Sequence, residues 1–152
     1  MDSTTIIRVV AGVMFLAVFF VGIAIGIFYI LAVSRVLNKC SPSSRTMQPG
    51  MVWLLLIPFF NIIWNFVVVL AVAKSVGKEF QLRNIPSADP EPGKPIGLAM
   101  CICGACGIIP FVGLLAGLAY LVLWIIYWVK VNEFSRALDQ ELPVLNAVSS
   151  GL

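Results

Sequence analysis

Val9-Val-Ala-Gly-Val-Met-Phe-Leu-Ala-Val-Phe-Phe-Val-Gly-Ile-Ala-Ile-Gly-Ile-Phe-Tyr-Ile-Leu-Ala-Val33 carries no charged side chain. It exceeds the roughly 20 residues that a helix needs to cross a hydrocarbon core of about 30 Å. Its apolar residues do not keep to one side at a helical or strand period, which is the mark of a segment whose solvent is lipid all round. A cleavable signal peptide has an apolar core of roughly 7–15 residues, so this run reads as a retained anchor and a first span, about 5–33.

The rest of the chain has the same character. Of 152 residues, 61% are hydrophobic and 11% charged, against roughly 45–50% and about 25% in an ordinary soluble domain. The bilayer is the partner that composition names. Net charge is +3, but the ten Lys and Arg are spread over short loops, so no basic face forms of the kind that tracks nucleic acid.

Two further apolar runs follow. Residues 51–73 are interrupted by Pro58, which removes a backbone donor and predicts a kink. Residues 74–95 form a polar linker, with Lys74, Lys78, Glu79 and Arg83 continuing the helix before a proline-rich stretch. The run 96–131 is too long for one span and is centred on Pro110, which predicts a hairpin of spans 96–109 and 114–131. Beyond Lys130, the apolar residues Val131, Phe134, Leu138 and Leu142 recur on one side of an amphipathic helix placed on the membrane surface, where it docks a partner or lies on headgroups. The expected fold is thus all-α, a polytopic membrane domain over 1–143 with about four transmembrane helices and a tail at 144–152.

Counting Lys and Arg in the loops of a four-span chain places both termini in the cytoplasm. A competing topology makes Pro58 the tip of a re-entrant loop. That puts every basic residue after Val33 on one side, but its arms of about ten residues are too short to cross. Ile57-Pro58-Phe59 and Ile109-Pro110-Phe111 also echo each other, each leading into an apolar run that ends at a lysine, Lys74 or Lys130.

Residues able to carry chemistry are few. There is no histidine, hence no imidazole for metal, haem or proton transfer at neutral pH. All seven Asp and Glu lie outside the expected spans, which argues against a pump or proton-coupled transporter. Cys101, Cys103 and Cys106 are soft ligands close in sequence. On a helix, however, Cys101 projects about 200° from Cys103, so thiols used as small apolar groups are the preferred reading.

Ala99, Cys103 and Gly107, Gly22 and Gly26, and Gly113 and Gly117 are small residues at the four-residue interval of close helix packing. Asn61 and Asn65 share a face and need partners in hydrocarbon; they serve as interhelical glue or line a solute path. Tyr120, Trp124, Tyr127 and Trp128 before Lys130 read as an interfacial aromatic belt. No catalytic signature is present, so neither an enzyme nor a cofactor is expected.

The stretch Trp53-Leu-Leu-Leu-Ile-Pro-Phe-Phe-Asn-Ile-Ile-Trp-Asn-Phe-Val-Val-Val69, followed by Lys74-Ser75 and Glu79-Phe80, resembles a pattern found in small bacterial membrane proteins of unknown function. The resemblance covers about a third of the chain. It implies a bacterial inner-membrane protein of four helices and carries over no catalytic residue. Three functions are therefore set in order: an accessory subunit that packs against other membrane proteins or copies of itself, a homo-oligomeric channel or small-solute transporter, and a soft-metal or redox carrier through Cys101, Cys103 and Cys106.

Overall fold

The computed structural model describes residues 2–57, 60–107, 109 and 112–150, and in 141–150 the backbone alone. Pro58 and Pro110, where a kink and a hairpin turn are expected, lie outside the described residues, as does the side chain of Leu142. Four α-helices follow in order: α1 (Ser3–Lys39), α2 (Phe60–Leu82), α3 (Lys94–Cys106) and α4 (Gly113–Ser150), with a 3₁₀ helix (Pro49–Leu56) between α1 and α2. No strand occurs among the described residues. Among the described residues, three helices are long and apolar enough to cross a membrane: Ser3–Lys39, Phe60–Leu82 and Gly113–Gln140.

The boundaries differ from the expected spans in instructive ways. Lys94–Cys106 is too short a helix, at the ordinary α-helical rise, to match the hydrocarbon thickness. The run 51–73 is divided: its first part belongs to the short 3₁₀ arm, and α2 starts afresh at Phe60. α4 continues past Lys130, as the amphipathic pattern predicts, but runs on to Ser150, through most of the expected tail.

α2 ends where Asn84 takes a left-handed backbone (φ 54°), and the Ile85 amide then donates back to the Phe80 carbonyl at 2.8 Å. This is the six-to-one closure that satisfies a helix's last carbonyls. α3 starts after Gly93, also left-handed (φ 80°), with Pro95 in its first turn where no amide partner is needed.

Contacts fix the helix directions. Tyr29 of α1 meets Trp124 and Tyr127 of α4, while Lys39, further along α1, reaches Ser135 and Asp139. α1 and α4 therefore run parallel. α2 advances the same way, since a Cβ on Gly97 would meet both Val69 and Tyr127, Phe80 packs edge-on against Phe134 and Arg83 reaches Leu138. α3 runs opposite, with Gly97 beside Tyr127 and Gly104 beside Tyr120. The up-and-down alternation expected of four successive spans is absent, because the 3₁₀ arm turns the chain back alongside α1 before α2 rises again. Ser34 Oγ donates to the Pro49 carbonyl, and the Trp64 indole donates to that of Met51.

The core occupies the C-terminal parts of the three parallel helices. Val33, Val36 and Leu37 of α1, Val68, Val72 and Val76 of α2, and Val131 and Leu138 of α4 are buried at helical spacing, with Met100 of α3 and Val52 of the 3₁₀ arm. The apolar side of the segment beyond Lys130 is thus covered by this chain itself, through Val131, Phe134 and Leu138. These residues are therefore not free for either expected use, docking a partner or lying on headgroups.

Candidate functional site

Two polar features stand out against this apolar bundle. The first joins the ends of the parallel helices. Glu79 is 2% exposed; its Oε2 accepts from the Ser41 amide at 2.9 Å and the Ser41 hydroxyl at 2.7 Å, and its Oε1 accepts from Arg83 Nε at 2.7 Å. The Arg83 guanidinium donates further to the carbonyls of Leu138 (3.1 Å) and Lys39 (3.0 Å), so one side chain ties α2 to both α4 and α1. Lys39 Nζ meets Asp139 at 2.6 Å and Ser135 Oγ at 2.7 Å. Thr46 in the loop closes on α2, donating from its amide to Ser75 Oγ and from its hydroxyl to the Ala71 carbonyl.

A buried charge persists only when its partners satisfy it, as here, and each donor of Arg83 finds an acceptor on a different element. The arrangement binds helices together and leaves no open position for a substrate. The sequence shows its signal in the Glu79–Arg83 pair, an acid and a base four residues apart on one helix. Its reach to other helices is not legible there.

The second feature is a cavity of about 200 Å³ between the start of α2, the end of α3 and the start of α4. It brings together residues far apart in the sequence: Asn61 and Asn65 from α2, Cys101 and Cys103 from α3, and Tyr120 and Gly117 from α4. Asn61 is exposed at the rim, whereas Asn65 is 8% exposed and its Oδ1 has no hydrogen-bond partner among the described residues. The hydroxyls of Tyr29 and Tyr127 are likewise buried without a partner among them. Such groups are uncommon inside proteins.

The thiols do not assemble into a metal centre. All four cysteines are free. Cys106 does not line the cavity with the other two, and no trio of His, Cys, Asp or Glu among the described residues is placed to share an ion. Cys40, the remaining thiol, sits at the far end beside Glu79, where burial above all pushes its pKa up to about 11. It is protonated at neutral pH and a poor ligand.

The small residues divide sharply. A Cβ at Gly22, Gly26 or Gly117 would meet nothing within 4 Å, so none of the three packs closely against another helix among the described residues. Gly107 and Gly113 do approach, a Cβ on Gly113 lying 2.6 Å from the Gly107 carbonyl oxygen. A tight interhelical approach falls at a glycine not among the expected packing residues: a Cβ on Gly97 would lie 2.4 Å from Val69 Cγ1 and 2.9 Å from the Tyr127 ring. Gly97, Met100, Cys101 and Gly104 mark that face at i, i+3, i+4 and i+7, whereas Ala99, Cys103 and Gly107 mark another.

Of the expected belt, Tyr127 is in the core, Trp124 and Trp128 pack partly against it, and Tyr120 serves the cavity, while Lys130 is half-buried. Aromatic residues near a lysine were a fair signal of an interface, but α1 covers the ring that faces it. Comparison with protein-family models, curated proteins and solved structures finds no match to this chain.

Proposed function

We propose that this chain is a non-catalytic accessory or structural subunit of a larger membrane assembly, in an inner membrane of the bacterial kind that the resemblance implies. One observation carries the reading. Residues 3–25 of α1 are exposed on every side, so more than half of this long apolar helix has no partner among the described residues. A helix kept only as an anchor needs no more than its own span, whereas this one presents Gly22 and Gly26, at the interval of close helix packing and with open space around them, beside a bundle already closed by its own polar bonds.

Charge supports an orientation. Arg35, Lys39, Arg45, Lys74, Lys78, Arg83, Lys94, Lys130 and Arg136 gather at the end where the parallel helices finish, against Arg8 alone toward the other. An excess of basic residues stays cytoplasmic. In this reading the C-terminal ends of α1, α2 and α4 face the cytoplasm and the start of α1 lies across the membrane, which revises the expectation of two cytoplasmic termini. The pieces 49–82 and 94–131 then enter and return from the same side, as the echo of Ile-Pro-Phe suggests.

Orientation is tested with Ser3→Cys and Ser87→Cys in a background lacking the four native cysteines. The first should react with an impermeant maleimide on intact cells and the second only after permeabilisation; protection of both would restore the four-span topology. Subunit character is tested by mild detergent extraction of the tagged chain, with sizing and mass spectrometry. Companions in fixed stoichiometry support the reading, and a monodisperse single chain overturns it.

A further inference from the structure

We propose that the cavity between α2, α3 and α4 binds a small membrane-dissolved molecule that is apolar apart from one hydroxyl, held at the amide of Asn65. Asn65 is more than nine-tenths buried and lines the cavity, and its amide carries an oxygen that no described group of the chain satisfies. Leaving a buried polar atom unpaired is costly, so the site is built to receive a partner. A hydroxyl both donates and accepts, and therefore serves the amide in either orientation of its oxygen and nitrogen.

Size and lining restrict the rest of the molecule. About 200 Å³ falls below the roughly 300–1,000 Å³ of sites that take drug-sized ligands, so a short chain fits and a phospholipid does not. Apart from Asn61 at the rim and Tyr120, the residues beside Asn65 are small or apolar, with Ile62, Gly104, Ala105 and Gly117 among them. Gly117 leaves its side of the lining unfilled, since a Cβ there would meet nothing within 4 Å. No charged side chain among the described residues lines the cavity, which excludes an ionic ligand.

Access is from the bilayer. Asn61 and Ile62 at the rim are exposed, and neighbouring outward residues such as Ile63, Leu118 and Leu121 are exposed and apolar. A molecule partitioned into lipid reaches the opening without crossing water. This inference does not depend on the subunit reading.

The experiment uses the full chain reconstituted in phosphatidylcholine nanodiscs, photolabelled with an eight-carbon alcohol bearing a diazirine and, separately, with the matched alkane. Labelling should fall on peptides 61–65 and 101–105, be displaced by 1-octanol, and favour the alcohol by about tenfold, the ratio one hydrogen bond to a buried acceptor supplies. Asn65→Leu should bring the two probes to parity while alkane labelling persists, which shows that the variant retains its fold and cavity. Gly117→Phe should abolish labelling by both. Absence of label from these peptides, parity of the probes in the unaltered chain, or an alcohol preference that survives Asn65→Leu would each overturn the proposal; the first would leave the amide to water alone.

Discussion

The two halves of α1 are made of the same residues and live in different surroundings. Toward the start, Phe15, Phe19 and Phe20 touch chiefly one another, and Val18 is 70% exposed. Toward the end, Val33, Val36 and Leu37 are wholly buried. Hydrophobicity does not separate them, because lipid tails are as apolar as the side chains they would replace and supply no drive for helices to associate. What distinguishes the second half is its continuation into Lys39, Ser41 and Thr46, whose polar bonds reach α2 and α4. The clasp beyond the apolar run decides which apolar surface is covered.

The comparison is broken most severely at Glu79. Glu79→Ala leaves Arg83 buried without its partner, and the folded chain in detergent should lose about 3–5 kcal/mol, read by thermal or denaturant unfolding. Replacing both residues by Met should cost less than the single change; equal losses would show that the pair, rather than its breaking, is what matters.

Glycine substitutions sharpen the contrast between covered and uncovered helix. Gly97→Val forces a side chain into Val69 and Tyr127, and should cost about 1–3 kcal/mol. Gly22→Val and Gly26→Val, with open space around them, should leave unfolding of the isolated chain within about 0.5 kcal/mol. Where the accessory reading holds, they should reduce the yield of co-purifying partner.

Smaller effects are expected at the exposed edge of the clasp. Lys39→Met removes a part-exposed ion pair with Asp139 and should cost about 0.5–1 kcal/mol. Least of all is the contribution of Cys40, whose thiol is raised from 9.0 to about 11 by burial. The unfolded state sheds this proton first, so stability falls as pH rises through that interval and is unaffected below it. Cys40→Ser should flatten the alkaline limb of an unfolding-against-pH series, and an unchanged limb would assign it to other groups.

Much was legible without the fold. The charge-free run 9–33, the polar break near Asn84 and Pro86, and the helical continuation through Lys74 and Glu79 follow from local chemistry. Asn61 and Asn65 were readable as polar groups sharing a face, but their company was not. Cys101, Cys103 and Tyr120 come to them from segments distant in the chain, and no periodicity in α2 encodes those neighbours.

By itself, the sequence determined the solvent and the secondary structure: apolar runs of this length call for lipid, and lipid requires backbone groups to be satisfied within the segment, which makes helices. Tertiary structure alone decided that α1, α2 and α4 run parallel, that Gly97 rather than Gly22 lies at a close approach, and that Tyr127 is core rather than belt. The physical reason is that a helix apolar on all sides has no preferred face, so direction and partner are settled by long-range polar bonds and close packing between segments far apart in sequence.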